Sequence, residues 1–360
     1  MYLYRLKIST KNQAMSKPHV AVVIIHWNRR QLLEKFFPAL MQSTYSNLTV
    51  VLADNNSDDG SVEWVKQHYP SVRVVVNDGN YGYAGGYNRA LPYVQADYYV
   101  LLNNDIEVTP NWIEPVIEAM EQDERIAAAQ PKMLDYNNSN QFEYAGASGG
   151  YLDKLGYAFC RGRMFEELEE DVKQYDDVQQ VFWATGACMF VRAAVFHKLG
   201  GFDEHFFAHM EEIDLCWRMQ LHGYRLLVVP QSVVYHVGGG TLNKQSSHKT
   251  YLNFRNNLIM LTKNLPVSTL LWLIPVRSTL DLLSSIFFLL NGLPRYSGAV
   301  HKAHAHYFFN FGKWWKLRKQ NQEFLPFQQL HGVYQGSIVA DHFVKKVKRY
   351  SELKPEKFSK

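Results

Sequence analysis

HVAVVIIHW, residues 19–27, is a continuous apolar run rich in β-branched side chains. Such a run predicts a strand that is buried on both faces of a parallel sheet. Similar short runs follow at residues 48–53, 72–76 and 98–102, with helical patterns between them. Strands that alternate with helices predict βαβ units. We therefore expect an α/β domain with a Rossmann-like, mostly parallel sheet and flanking helices.

The chain beyond this sheet changes character twice. Residues 135–180 are weakly patterned and acidic, which predicts a mobile or inserted region. Residues 258–293 are apolar, but charged residues and prolines interrupt them. A spanning helix needs about 20 mostly apolar residues, and no such stretch is free of charge. We predict helices that lie in the membrane interface, and an ordinary buried helical hairpin is the alternative.

Composition and charge limit the possible partners and compartments. The formal net charge of the 360 residues is +4, and Lys and Arg concentrate from Arg295 onward. That asymmetry predicts an anionic membrane surface as partner, with a solvated tail as the alternative and no nucleic acid expected. The three cysteines are widely spaced and fit no metal-binding pattern, which favours a reducing compartment. Residues 1–14 show no secretory signal pattern and are expected to be a dispensable extension.

Polar clusters follow the first two predicted strands. HWNR occupies residues 26–29 and DNNSDDGS residues 54–61. Ligands of open α/β sheets bind just beyond the carboxyl ends of the strands. Trp27 is therefore a candidate contact for a nucleotide base, and Asp54 could accept hydrogen bonds from a base or ribose. The alternatives are core packing for Trp27, and a turn with a helix cap for residues 54–61.

A glycine-rich stretch, NDGNYGYAGGYNRAL, follows the third strand at residues 77–91. Its glycines allow a backbone to approach phosphate closely, and the helix predicted to begin near Tyr87 would favour negative charge at its N-terminus. The spacing is no dinucleotide fingerprint. It also lacks the Lys-Ser/Thr pair of a P-loop, which disfavours a P-loop NTPase.

Three further groups could carry chemistry. Asp105, in NNDIE after the fourth strand, is an oxygen ligand of the kind that Mg²⁺ or Mn²⁺ takes beside substrate phosphates. Glu211, Glu212 and Asp214 crowd the start of a predicted helix, where acids usually complement the helix dipole. Three acids beside aromatic residues leave room for one desolvated carboxylate as a general base. His236 is a usable metal ligand, although a lone histidine is more often structural.

Seven segments in order resemble glycosyltransferase family 2, especially the rhamnosyltransferase-like branch that builds bacterial cell-surface polysaccharides. They span about residues 19–256 and read HWN, LADNNSDDGS, GNYGYAGGYN, LLNNDIE, WATGACMFVR, GGFDEHFFAHMEEIDLCWR and VYHVGGGT. The resemblance implies a GT-A fold with a nucleotide-binding half, an acceptor-binding half and a divalent metal, Mg²⁺ or Mn²⁺, at the donor phosphates.

The same resemblance implies roles for single residues. Trp27, Asn28 and Asp54 would contact the nucleoside. Asn104 and Asp105 would form the DxD-type segment, with His236 completing the metal site. Glu212 would be the base at a position usually held by Asp, with Glu211 and Asp214 as the other candidates. The remaining expected donor-binding residues are Asn56, Gly82, Gly85, Gly86, Asn88 and Asn103.

Two departures from the family pattern affect these roles. Asn103 stands where many relatives carry the first Asp, so one carboxylate of the segment is left for the metal. The Glu212 side chain is one methylene longer than that of Asp, so the family pattern does not decide between Glu212 and Glu211 as the base.

These observations predict an inverting glycosyltransferase that uses a dTDP-rhamnose or UDP-sugar class donor. The expected acceptor is a lipid-linked or cell-surface glycan, such as a sugar on a polyprenyl diphosphate, at the inner face of the cytoplasmic membrane. The alternatives are a non-catalytic sugar-nucleotide-binding scaffold and a sugar nucleotidyltransferase. The expected domains are an extension (1–17), a GT-A domain (18–257, divided near residue 110) and a basic helical region (258–360).

Overall fold

The computed structural model describes residues 17–238, 246–321 and 323–360. The expected N-terminal extension lies outside the described residues except for Lys17. The helices are α1 Arg30–Leu40, α2 Ser61–His68, α3 Gly82–Ala90, α4 Glu114–Met120, α5 Ala193–Lys198, α6 Glu211–Leu221, α7 Ser247–Asn264, α8 Val267–Leu290, α9 Pro294–Phe309 and α10 Phe311–Leu317. The strands are β1 Val20–His26, β2 Leu48–Asp54, β3 Arg73–Val76, β4 Tyr98–Asn103, β5 Ile106–Val108, β6 Ile126–Asp135, β7 Gly150–Asp153, β8 Ala158–Cys160, β9 Arg163–Met164, β10 Glu167–Leu168, β11 Gln179–Gln180, β12 Cys188–Arg192, β13 Arg225–His236 and β14 Val333–Tyr334.

The main sheet has nine strands in the order β11-β13-β6-β12-β4-β1-β2-β3, with β5 paired to β13. Strands β4, β1, β2 and β3 are mutually parallel, as predicted, and β12 runs antiparallel between β4 and β6. Alternate side chains of β1 pack on opposite faces, against α1 and α4 on one side and α3 and α6 on the other. This two-sided burial explains the continuous apolar run of residues 19–27.

Residues 135–180 form a second layer instead of a mobile region. Strands β7 to β10 make a five-stranded sheet together with β14 from the C-terminal end of the chain. The acidic segment is held by buried cations: Lys132 Nζ lies 2.8 Å from Asp171 and also contacts Asp176, and Arg161 lies 3.0 Å from Asp177. Of the two predictions for residues 135–180, an inserted region fits the structure and a mobile one does not. Part of the acidic composition is explained by the ion pairs with Lys132 and Arg161.

The C-terminal region is integrated with the rest of the fold. The expected boundary after residue 257 falls inside α7, whose C-terminal half is buried. Lys263 Nζ on α7 lies 2.9 Å from both Asp203 and Asp214, and β14 pairs with β7. Removing residues 258–360 would take the Lys263 ammonium away from both buried carboxylates, so single substitutions test this region better than truncation.

Among the described residues, one helix, α8, is long and apolar enough to cross a membrane by length and composition alone. Its mean hydropathy reaches 1.6, and 22% of that window is buried. The structure therefore places one face of α8 against the protein and leaves much of the other exposed.

Candidate active site

The carboxyl ends of β1, β2 and β4 meet at one edge of the main sheet. His26 pairs with Asp54 across β1 and β2, and Ile25 pairs with Asn103 across β1 and β4. Parallel pairing thus brings the predicted clusters HWNR, DNNSDDGS and NNDIE side by side. Ligands of open α/β sheets bind at this edge.

A buried histidine holds the DxD-type segment in place. Asn104 Nδ2 donates to His26 Nδ1 at 2.8 Å, so the proton lies on Nε2, which faces Ser61 Oγ at 2.8 Å. Ser61 Oγ in turn donates to Asp59. Burial lowers the pKa of His26 to about 4, which keeps the ring neutral and able to accept from Asn104.

Trp27 and Asn28 lie at the turn after β1. Trp27 is 42% exposed, so the core-packing alternative is wrong and its indole face is available to a ligand. Asn28 adopts a left-handed backbone with φ 55°, and its Oδ1 accepts from Asp58 N at 3.0 Å. Asn28 therefore joins the turn after β1 to the turn after β2.

Asp54 is fully buried and already bonded within its own turn. Ser57 donates to it from N at 2.8 Å and from Oγ at 2.5 Å. The turn alternative accounts for these bonds, and a nucleoside contact of Asp54 stays a prediction. Asn56, with φ 62°, is exposed next to it.

The glycine-rich stretch differs from its predicted role. Helix α3 begins at Gly82, not near Tyr87, and its first amides are already used: Tyr83 N and Ala84 N donate to Phe207 O at 2.8 and 3.3 Å. Gly82, with φ 67°, leaves room for that carbonyl, and a Cβ at Gly86 would lie 2.5 Å from Ile25 Cδ1. These glycines permit close packing, which accounts for them without a ligand, and their expected contact with phosphate stays a prediction.

Two further expected donor contacts are also structural. A Cβ at Gly85 would meet Tyr81 and Arg89 of its own segment. Asn88 exchanges two hydrogen bonds with the backbone of Phe202, at 2.8 and 3.0 Å. Asn88 therefore ties α3 to the loop before α6 and is not free for the donor. Asn103 is partly exposed at the end of β4 and stays a prediction.

Asp105 and His236 meet at the predicted metal position. Strand β5, directly after Asp105, runs antiparallel to the end of β13 and pairs Ile106 with His236. His236 Nε2 lies 3.1 Å from Asp105 Oδ1, and its Nδ1 lies 3.1 Å from Glu143 Oε1. All three side chains are buried. Burial opposes a charged imidazole, but Glu143 and Asp105 outweigh it and raise the pKa of His236 well above its usual range.

These residues fit a divalent cation. A carboxylate oxygen and an imidazole nitrogen are ligands that Mn²⁺ accepts, and Mg²⁺ prefers the oxygen. Glu143 on the other ring nitrogen resembles the carboxylate that commonly orients a metal-binding histidine. Within the described ranges no group of three or more His, Cys, Asp or Glu side chains could hold a metal alone. Donor phosphates would therefore complete the ligand set.

Glu211 and Glu212 begin α6 on the other side of this edge. Each has one buried carboxylate oxygen without a hydrogen-bond partner among the described residues. Burial raises the pKa of Glu211 well above its usual range, with the Glu212 charge adding to the effect. Burial also raises the pKa of Glu212, to about 7, against the N–H groups of the first helical turn. Glu212 is thus the better candidate base, because the charge of its neighbour further disfavours ionisation of Glu211.

Asp214 is a structural residue, and its place among the catalytic candidates is wrong. It is fully buried, and its carboxylate is bonded to Arg218 Nε and Lys263 Nζ, each at 2.9 Å, and to Asn264 Nδ2 at 2.8 Å. A carboxylate with three donors has no free oxygen to accept a proton from a substrate. It anchors α6 to α7.

Helix α7 also holds the loop that leads into the candidate base. Asn256 Nδ2 lies 3.0, 2.9 and 2.7 Å from the carbonyls of Phe206, Ala208 and His209. Three non-glycine residues of this loop, Phe207, His209 and Met210, have positive φ. Such conformations persist only where the surroundings impose them. Asn256 therefore fixes the entry to α6.

Sequence reasoning missed His26, Glu143 and Asn256 as functional residues. His26 stood inside a quoted motif and could have been suspected from its place at a strand end. Glu143 lies in the weakly patterned acidic region, and Asn256 lies on a helix beyond the last motif. Only the folded chain brings these two next to the site.

Comparison with known proteins identifies the family of the chain. A model of glycosyl transferase family 2 matches residues 21–200, half of the chain. An N-acetylglucosaminyl-diphospho-decaprenol L-rhamnosyltransferase of Mycobacterium tuberculosis is 29% identical over 245 residues, which cover 63% of this chain and 79% of that protein. The rhamnosyltransferase WbbL of Escherichia coli K12 is 25% identical, over 60% of this chain and 83% of that protein.

A solved structure shows the fold relationship. The crystal structure of GalNAc-T7 with UDP, GalNAc and Mn²⁺ superposes with a TM-score of 0.55 at 16% sequence identity. The match covers 70% of this chain, and the chain spans about half the length of that protein. At this identity the likeness concerns the fold alone, and it agrees with the predicted GT-A architecture.

The carboxylate behind His236 gives a testable prediction. Glu143→Gln removes the charge that orients and polarises the imidazole, so Mn²⁺ affinity should fall by about 10–100-fold. Titration of Mn²⁺ by electron paramagnetic resonance measures this at one fixed pH. The control is Glu118→Gln, on the exposed face of α4. Equal Mn²⁺ affinity in Glu143→Gln and the wild type would contradict the assignment.

Proposed function

The chain belongs to glycosyltransferase family 2, and we propose that it moves a sugar from a nucleotide diphosphate donor to a hydroxyl of a lipid-linked glycan, with inversion. The observation that carries this proposal is the pair of groups at one sheet edge. Asp105 and His236 suit a metal at the donor diphosphate, and Glu212 supplies a desolvated carboxylate with one oxygen that has no hydrogen-bond partner among the described residues.

The proposed chemistry is a single displacement. Ionised Glu212 takes the proton of the acceptor hydroxyl as that oxygen bonds to the anomeric carbon, and the bond from that carbon to the leaving nucleoside diphosphate breaks on the opposite face. When bound, the metal neutralises charge on the diphosphate. His26 keeps Asn104 in place, and Asn256 keeps the loop before Glu212 in place.

We propose a dTDP-rhamnose or UDP-sugar class donor and a polyprenyl-linked acceptor in the synthesis of a cell-surface polysaccharide. The names of the Mycobacterium tuberculosis and Escherichia coli relatives support rhamnose as the sugar, and the former supports a diphosphate-linked acceptor. Family membership argues against the nucleotidyltransferase alternative. Three buried, unbridged cysteines fit the reducing cytoplasm.

We also propose that helices α8 to α10 rest on the inner face of the cytoplasmic membrane. Large apolar side chains of these helices are exposed, among them Leu271, Trp272, Leu282, Leu283, Ile286, Phe287, Leu290, Phe309 and Trp315. Exposed basic residues lie on the same helices: Arg295, Lys302, Lys313 and Lys316. Apolar and aromatic side chains beside basic ones favour an interface of anionic lipid.

The charged residues of α8 favour a helix that lies along the membrane. Arg277, near the middle of α8, is buried and donates to Leu155 O at 2.9 Å and to Asn257 Oδ1 at 2.7 Å. Asp281 is buried against His304 at 2.9 Å. The middle of a spanning helix lies near the bilayer centre. The bonds of Arg277 to the turn after β7 and to α7 instead hold the middle of α8 against the rest of the protein.

The base assignment predicts the effect of one substitution. Glu212→Gln should lower turnover by about 10²–10⁴-fold while nucleotide affinity is unchanged. Wild-type turnover should fall as the pH drops through about 7, because Glu212 must be ionised to accept a proton. Steady-state kinetics with calorimetric nucleotide binding test both. Glu63→Gln, in the first turn of α2, is the matched control.

Unchanged turnover in Glu212→Gln, with its nucleotide affinity intact, would show that Glu212 is not the general base. If the wild type binds the nucleotide but transfers no sugar to any acceptor, the scaffold alternative is favoured.

The membrane proposal predicts weaker lipid binding after loss of apolar side chains. Burial of each Leu or Phe side chain contributes about 1.5–3 kcal/mol. The double substitution Leu283→Ser with Phe287→Ser should therefore weaken binding to phosphatidylglycerol-containing vesicles by more than about tenfold. Vesicle co-sedimentation measures this. Tyr93→Ser with Val172→Ser changes exposed apolar residues elsewhere and is the control. Equal sedimentation of both double variants would contradict the proposal.

A further inference from the structure

Arg163 is a buried cation whose bonding is incomplete. It lies on β9 and is 8% exposed, and its Nε has no hydrogen-bond partner in the part of the chain that the structure describes. Its Nη1 donates to Phe165 O at 3.1 Å, and its Nη2 lies 3.7 Å from Cys160 Sγ. No carboxylate in the described ranges lies within ion-pair distance of it. The charge of Glu143 acts on Arg163 from beyond ion-pair distance, and the Nε proton is left for an anionic ligand.

A second cation lies beside Arg163 across an aromatic ring. The Arg163 guanidinium is 4.4 Å from the ring centroid of Tyr144, and Lys249 Nζ is 5.9 Å from the same centroid. Tyr144 Oη donates to Glu166 at 3.3 Å. His209 is close to Lys249: burial, together with the charges of Lys249 and His248, lowers the pKa of His209 to about 3. We name Arg163 and Lys249 the basic cluster.

The basic cluster adjoins the metal position and lies within range of the charge of the candidate base. Tyr144 directly follows Glu143, the carboxylate behind His236. Cys160, which contacts Arg163, lies within range of the charge of the candidate base. Burial raises the pKa of the Cys160 thiol, and the charges of Glu143 and Glu212 add to the rise. His209 precedes Met210, the N-cap of α6. An anion held by Arg163 would therefore lie near both reacting groups.

We propose that the basic cluster binds the diphosphate of the acceptor, a site separate from that of the donor diphosphate. This inference rests on the proposed function, which assigns the donor diphosphate to Asp105 and His236. An acceptor sugar linked to a diphosphate carries its negative charge about one sugar ring from the attacking hydroxyl. Arg163 contacts Cys160, on which the Glu212 charge acts, and so supplies a cation in the neighbourhood of the candidate base. The guanidinium fork of arginine suits phosphate oxygens in particular.

Binding of a short prenyl diphosphate tests the proposal. The full-length protein in detergent micelles is first saturated with Mn²⁺ and a nucleoside diphosphate, and farnesyl diphosphate or farnesol is then titrated by calorimetry. Farnesyl diphosphate should still bind, and much more tightly than farnesol. Arg163→Gln and Lys249→Gln should each weaken farnesyl diphosphate binding by about tenfold or more. Arg125→Gln, whose side chain pairs with Asp123 on the surface, should bind like the wild type.

Several outcomes would overturn the proposal. Equal binding of farnesol and farnesyl diphosphate would show that only the prenyl chain is recognised, and competition by the nucleoside diphosphate would show a single, donor-type site. If Arg163→Gln lowers the melting temperature strongly, Lys249→Gln alone decides, and wild-type binding by that variant contradicts the proposal. Farnesyl diphosphate is also titrated in the absence of nucleotide. If it binds there while the nucleoside diphosphate does not bind at all, the donor-site assignment fails and the acceptor-site proposal does not.

Discussion

The contact between Asp105 and His236 joins two strand ends that are 131 residues apart, and the arrangement of the candidate site depends on it. It requires β5 to fold back onto β13, and β13 to pair in parallel with β6. Two carboxylates and one imidazole are buried together there. A proton on the ring offsets one of the two negative charges, and a divalent metal ion would offset both. The same balance links metal binding to pH, because a metal must displace that proton.

Helix α7 extends this arrangement to the opposite side of the site. Arg255 and Asn256 bind the carbonyls of the loop before α6, Lys263 and Asn264 bind Asp214 within α6, and Asn257 binds Arg277 of α8. The helix that presents Glu212 and the helix that exposes apolar side chains thus share one buried support. In the proposed function, docking of α8 on a membrane would set the distance of the base from that surface.

The sequence was informative where local pattern and long-range pairing agree. The apolar runs near residues 20, 50, 75 and 100 predicted the parallel core, because side chains buried on both faces leave a signal in the strand itself. The glycine pattern was ambiguous: Gly82, Gly85 and Gly86 permit close packing of α3, and a phosphate loop has the same composition. Asp214 could not be separated from Glu212 by sequence, since its partner Lys263 lies 49 residues away. Glu143 carries no local signal, because its role comes from a neighbour on another strand.

Nucleotide-sugar binding with and without metal tests the central claim most directly. The purified chain and its His236→Ala variant are titrated calorimetrically with UDP-, GDP- and dTDP-sugars, each in the presence and absence of Mn²⁺. The account predicts that one nucleotide family binds the wild type much more tightly with Mn²⁺, and that His236→Ala loses this difference while the metal-free affinity stays the same. Metal-independent binding of equal strength in both proteins would contradict the claim that Asp105 and His236 form a metal-dependent donor site.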